Sequence, residues 1–294
     1  MDDTLKISIA SGKGGTGKTT VAVNLAYELA RRGYSVTYAD SDVEEPNGHL
    51  FLKPRWTENL RVAVKNPWVD HDRCTFCGLC SEECRFNALA VTADKVLVFP
   101  SLCHGCGACY YICPEDAITE VDRFIGQINI GRTEKLDVCE GRLDVGEAMA
   151  PPVTRELKRV MPVSEISIID SPPGSSCPVI EAIKETDFVV LVTEPTPFGL
   201  NDLRIAVDMV RTLGLEFGVV INRSDIGDDR VEKYCREEKV DILENIPFDR
   251  VIAVASSRGE MIVPQVKGFG DRLMNIYERI CRRTGNDGTG HHKR

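Results

Sequence analysis

The sequence predicts an α/β fold, a mostly parallel doubly wound sheet into which a small cysteine-rich unit is inserted. Three observations predict it. Short apolar runs ending in polar or turn residues alternate with segments of helical spacing, the pattern of a parallel sheet covered on both faces. A glycine-rich loop separates the first run from the first helical segment. Between about residues 63 and 121 the alternation stops and cysteines cluster instead.

In chain order, "LKISIA" is a β-branched run and "SGKGGTGKTT" a loop. Val21, Leu25 and Leu29 then follow at helical spacing until Gly33 stops the helix. "SVTYAD" closes a βαβ opening. The same grammar resumes in "ISIIDSPPG", "DFVVLVTEP" and "FGVVINRSD", so ligands are expected at the carboxyl ends of these strands. The domains expected are 1–62 and 122–284 for the two parts of the sheet, 63–121 for the insert, and a tail at 285–294 with no apolar anchor. "KPRWTENLRVAVKNPWVD" and "VDRFIGQIN" are the expected joints.

With 43% hydrophobic and 28% charged residues the chain reads as a soluble globular protein. No apolar run approaches the roughly 18 residues that span a bilayer, and "MDDTLKISIA" is acidic where a secretory leader is basic. These features predict a cytoplasmic protein. A net charge of -9 argues against a large basic face, so neither nucleic acid nor a membrane is an expected partner. In a reducing compartment twelve cysteines point to metal rather than to disulfides.

Gly12, Gly17, Lys18 and Thr19 match G-x-x-x-x-G-K-[ST] between a predicted strand and a predicted helix, with Gly14, Gly15, Thr16 and Thr20 completing the loop. Its backbone N–H groups would cradle phosphates at a helix N-terminus. Lys18 neutralises charge there, and Thr19 is placed to ligate Mg2+.

Cys74, Cys77, Cys80, Cys84 and Cys103, Cys106, Cys109, Cys113 repeat C-x2-C-x2-C-x3-C at an offset of 29 residues. This is the run of bacterial-type ferredoxins, in which the fourth cysteine of each run ligates the other cluster. Two [4Fe-4S] clusters are therefore expected, one on Cys74, Cys77, Cys80 and Cys113, the other on Cys103, Cys106, Cys109 and Cys84. Zinc usually takes two C-x2-C pairs separated by a longer loop. Arg85 stands where the second run has Pro114, a cation that would raise the potential of a nearby cluster.

Lys13, the second lysine of "GKGGTGKT", resembles the signature of the deviant phosphate loops of Min/Par, Mrp and nitrogenase iron protein ATPases. "DVEEPN", "DSPPGSSCPV", "VTEPTPFGL" and "IPFD" extend the likeness over nearly the whole chain, to members with an inserted ferredoxin domain. The resemblance implies a slow ATPase, a P-loop hydrolase that forms a homodimer with ATP at the interface and Lys13 reaching the partner's nucleotide. It implies Asp42 as the residue that positions the attacking water and Asp40 as support for magnesium, or the two in exchanged roles. Asp170 would hold the magnesium waters, the Gly174 amide would sense the γ-phosphate, and Asn222 would contact adenine. Cys177 lies seven residues after Asp170, where the iron protein has a bridging cysteine, and Cys139 would be its partner in an interfacial metal site. Both also fit the role of small core thiols.

Three functions follow. The first is an iron-sulfur ATPase that couples nucleotide state to electron transfer toward a redox or metallocluster-assembly partner. The alternative is an ATP-dependent carrier or scaffold for iron-sulfur or heterometallic clusters. The third is spatial positioning on a surface, for which Leu273, Ile276, Tyr277 and Ile280 in "GDRLMNIYERICRRTG" supply an apolar face. A terminal helix docked on the sheet explains that face equally well.

Overall fold

The computed structural model describes residues 4–285; apart from Gly285, the expected tail at 285–294 lies outside them. The strands are β1 (Leu5–Ala10), β2 (Val36–Asp40), β3 (Arg55–Val69), β4 (Leu89–Val91), β5 (Val96–Val98), β6 (Ile118–Arg132), β7 (Asp137–Leu143), β8 (Ile166–Asp170), β9 (Phe188–Thr193), β10 (Phe217–Asn222) and β11 (Ile242–Ile246). The helices are α1 (Lys18–Arg31), α2 (Gly48–Leu52), α3 (Leu79–Glu83), α4 (Ala108–Ile112), α5 (Pro151–Val160), α6 (Cys177–Ile183), α7 (Pro197–Thr212), α8 (Arg230–Glu237), α9 (Arg250–Ser257) and α10 (Phe269–Thr284).

Nine strands form one sheet in the order β11-β10-β9-β1-β8-β2-β7-β6-β3. The strands from β11 to β7 run parallel, and β6 and β3 add an antiparallel edge. Successive side chains of a strand face opposite layers, and here both layers are apolar. Ile7, Ile9, Ile166 and Ile168 pack with α1 and α10, while Leu191, Val219 and Ile221 pack with α7 and α8. Each such side chain contributes about 1.5–3 kcal/mol by leaving water. Leu273, Ile276, Tyr277 and Ile280 of α10 belong to the first layer, so the apolar face of this helix is spent on the sheet domain. No helix among the described residues is long and apolar enough to cross a membrane.

The segments expected as joints are strands themselves. β3 and β6 pair from Arg55 opposite Arg132 to Val69 opposite Ile118. β7 accompanies β6 only over Gly126–Arg132, so the far halves of β3 and β6 continue past it as a two-stranded arm. The β3–β6 register shifts between Val62 and Ala63, close to where the arm leaves β7.

The end of the arm carries α3, α4, β4 and β5. The sequence repeat is a repeat of backbone as well. α3 and α4 start 29 positions apart, and positive φ recurs at Phe76 and Gly105, at Gly78 and Gly107, and at Asn87 and Asp116. The second copy thus has glycine where the first holds Phe76 at φ 53°, a conformation that favours glycine.

Candidate functional site

The glycine-rich loop lies between β1 and α1, with Gly17 as the helix N-cap at φ 92°. A side chain at Gly17 would also meet Asn222 Nδ2 at 2.4 Å, so glycine is required twice over. A cavity of about 560 Å³ opens over the loop, lined among others by Lys13, Gly14, Gly15, Lys18, Thr19, Thr20, Asp42 and Asn222. It sits beyond the carboxyl ends of β1, β2 and β10, where an open parallel sheet binds its ligand. Thr16 Oγ1 is buried in the loop without a partner among the described residues.

Lys18 Nζ pairs with Asp170 Oδ1 at 2.7 Å. Burial works against its ammonium, but the carboxylates of Asp170, Asp40 and Asp42 together outweigh burial and hold the lysine above its ordinary range. The other oxygen of Asp170 accepts from the Tyr38 hydroxyl at 3.0 Å. Asp40 lies beside them, 1% exposed, and accepts backbone N–H groups from Asp42, Asn47 and Gly48. Burial and the Asp170 charge push the Asp40 carboxyl up to about 8, against the pull of those amides and of Lys18. Asp42 reaches the cavity wall, and burial lifts its carboxyl to about 6.

The remaining sequence-selected residues are held by the chain itself. Lys13 Nζ is 3.5 Å from Glu194 Oε2, and Arg223 holds the other oxygen of Glu194 at 2.6 Å. The Gly174 amide donates to the Ser11 carbonyl at 2.9 Å. The Asn222 side-chain amide donates to the Thr16 carbonyl at 2.8 Å while also lining the cavity. The Gly174 turn after β8 and the end of β10 are thus both hydrogen-bonded to the loop.

At the tip of the arm, Cys74, Cys77, Cys80 and Cys113 line one small cavity and Cys84, Cys103, Cys106 and Cys109 line another. Each set takes three cysteines from one run and one from the other. Phe76 and Ala88 donate backbone N–H to the sulfurs of Cys74 and Cys84, and Gly105 and Ala117 do the same for Cys103 and Cys113, at 3.3–3.4 Å. Burial raises the thiols of Cys80, Cys103 and Cys109, the last to about 11. Among the described residues no three His, Cys, Asp or Glu side chains gather tightly enough for a single metal ion. Apolar walls, N–H donors to sulfur and four thiols around a volume fit an iron-sulfur cluster.

Cys139 requires a correction. It lies on β7, wholly buried in the layer under α5, and its thiol points to the Tyr38 carbonyl at 3.7 Å. Burial, with Asp40 nearby, pushes that thiol far above its ordinary range. A group so placed cannot supply an interfacial ligand. Cys177 is exposed at the first position of α6, while Cys235 and Cys281 are core thiols. Sequence reasoning passed over Tyr38, Glu194 and Gly48, whose roles depend on cross-strand contacts that no local motif encodes.

A phosphate loop at the carboxyl edge of a parallel sheet, backed by buried carboxylates and a lysine, defines a phosphate-loop nucleotide-binding protein. The chain belongs to the CobQ/CobB/MinD/ParA nucleotide binding domain family, CbiA, whose profile matches residues 7–262. An uncharacterized protein of Methanocaldococcus jannaschii is 29% identical to it, covering 96% of this chain and 98% of its own. The iron-sulfur cluster carrier protein of Pyrococcus horikoshii is 25% identical, covering 96% of this chain and 89% of its own. That of Pyrococcus furiosus is 28% identical, covering 94% and 87%. Among solved structures, the septum site-determining protein MinD of Pyrococcus horikoshii, complexed with Mg-ADP, aligns with a TM-score of 0.60 at 21% identity, covering 96% of this chain and 98% of its own. At that identity the likeness speaks to the fold.

Proposed function

We propose that the protein is a nucleotide-switched ATPase that carries iron-sulfur clusters, with its arm a two-cluster [4Fe-4S] ferredoxin module. The observation that carries the reading is the crossed pair of four-cysteine cavities on a chain of this nucleotide-binding family. Relatives of nearly the same length that are named iron-sulfur cluster carrier proteins support it. In this reading the loop from Gly12 to Thr20 binds the phosphates of ATP, Thr19 ligates magnesium and Asp170 its waters, and Asp42 positions the attacking water. Two copies pair around the nucleotides, with Lys13 exchanging Glu194 for the partner's phosphates. Exposed Cys177 stands ready as a thiol at that interface, without Cys139.

The test is anaerobic. Iron-replete protein is mixed with an apo acceptor protein, and cluster arrival is followed by circular dichroism with no nucleotide, MgADP and MgATP. Transfer whose rate depends on nucleotide supports the carrier. Clusters that stay on the arm in all three states while the protein hydrolyses ATP would exclude it.

A second reading, nucleotide-gated electron transfer through the same clusters, is favoured by the crossed cysteines, each run lending its fourth thiol to the other's cavity. An anaerobic redox titration read by electron paramagnetic resonance separates the readings. A shift of about 60 mV or more with MgATP, roughly 1.4 kcal/mol for one electron, selects electron transfer.

A further inference from the structure

One row of cross-strand partners crosses half the sheet at a single level. Asp170 of β8 lies opposite Asp40 of β2, Asp40 opposite Glu140 of β7, Glu140 opposite Asn129 of β6, and Asn129 opposite Asn59 of β3. Every member is polar. The first two belong to the nucleotide site and the last two to the strands that become the arm.

Glu140 is the pivot of this row. It is 2% exposed, and a carboxylate so buried in a strand is costly unless neighbouring groups hold it. Oε1 accepts from Asn129 Nδ2 at 2.9 Å, and Asn129 Oδ1 accepts in turn from Asn59 Nδ2 at 2.6 Å. Arg142 Nη2 stands 3.6 Å from the same Oε1. Oε2 lies 2.9 Å from Nδ1 of His49, the second residue of α2, an ion-pair distance without hydrogen-bond geometry, so neither atom has a hydrogen-bond partner among the described residues. α2 is also the element whose leading N–H groups, those of Asn47 and Gly48, are held by Asp40. The segment following Asp42 is therefore hydrogen-bonded to Asp40 and in close contact with Glu140 on the adjacent strand, whose other oxygen is bonded to β6.

We propose that Glu140 is a positioning residue that joins the segment after Asp42 to the strands of the cysteine arm, touching α2 at His49 and holding β6 through Asn129. The inference rests on the reading of the phosphate loop as a nucleotide site. When nucleotide redraws the contacts of Asp40 and Asp170, α2 shifts, and Glu140 passes the shift to β6 and β3. Coupling of this kind is reciprocal, so the state of the arm also changes nucleotide affinity. A core carboxylate serving only its own strand would not reach both α2 and β6.

The test uses the full iron-replete chain under anaerobic conditions, with nucleotide affinity measured by calorimetry and the arm followed by amide hydrogen exchange over residues 118–132. In the wild type, a slowly hydrolysed ATP analogue with magnesium is expected to change exchange there by about fivefold. Asn129→Leu, outside the nucleotide site, is expected to bind the analogue within about threefold of wild type and to lose the arm response. Asn59→Leu, at an exposed position, repeats the test without touching the core. Glu140→Gln keeps the Oε1 acceptor for Asn129 and is expected to retain part of the response. An undiminished response in Asn129→Leu or in Asn59→Leu overturns the inference. Binding without any arm response in the wild type overturns the inference alone, and no binding overturns the nucleotide reading beneath it as well.

Discussion

Lys18 and Asp170 form an ion pair 2.7 Å long between side chains 8% and 0% exposed. The phosphate-loop lysine and the carboxylate at the end of β8 are thus joined across the middle of the sheet. Removing one member of such a pair strands the other charge, at a cost of about 3–5 kcal/mol. Lys18→Met is expected to lower the unfolding free energy in urea by that order and to abolish ATP hydrolysis. Lys18→Met combined with Asp170→Asn is expected to recover most of the stability and none of the activity. A single variant as stable as wild type would show that the pair is loose in solution.

In the proposed reaction the Asp42 carboxyl, lifted to about 6 by burial, is ionised when it positions the attacking water. ATP hydrolysis is expected to decline as pH falls through that value. Asp42→Asn is expected to lower kcat by about 100-fold and remove the acid limb, with nucleotide affinity unchanged. A pH profile that survives the substitution assigns the limb to another group.

Asp40 has the opposite sign from a salt-bridged aspartate. Its folded value of about 8 lies above the unfolded value of about 4, so the folded protein holds the proton more tightly. The stability this gives is full below the unfolded value and is lost as pH rises toward the folded one. Thermal midpoints are expected to fall between about pH 5 and pH 8, and to fall less in Asp40→Asn. Parallel curves for the two proteins would contradict this.

The crossed cysteine sets predict an iron count that a simple pairing of each run with its own cluster does not. From about eight irons per chain, Cys74→Ser with Cys113→Ser disables one set and is expected to leave about four. Cys74→Ser with Cys84→Ser strikes both sets and is expected to leave almost none. Equal iron in the two double variants would break the crossing.

Thiol accessibility separates the two cysteines that the sequence grouped together. In native protein, alkylation followed by peptide mass spectrometry is expected to label Cys177 readily and Cys139 only after unfolding. Labelling of both at equal rates would mean that β7 opens easily.

The strands that the sequence revealed are those buried on both faces. β1, β2, β8, β9 and β10 are short apolar runs, and the loop between β1 and α1 has a fixed spacing. The second cysteine run matched the first position for position, down to the helices and the positive φ values. β3 and β6 were hidden for a physical reason. The first seven residues of β3 are exposed, so no alternation of apolar and polar residues marks them as a strand. β7 was hidden because it carries Glu140 within it, a charge whose partners lie on α2 and β6. Cys139 was misplaced for the same reason, since burial on a strand is a property of register.

The register shift between Val62 and Ala63 gives the arm a fulcrum. Bulges of this kind bend a strand locally while leaving both sides stiff. About eight residues of extended chain lie between that point and the cysteine tip, a rod of roughly 27 Å. A tilt of about 10° at the fulcrum, needing only small movements near Glu140, would carry the tip through roughly 5 Å. On the coupling proposed above, the edge of the sheet would serve as a gear, turning short strokes at the nucleotide into long ones at the cysteines.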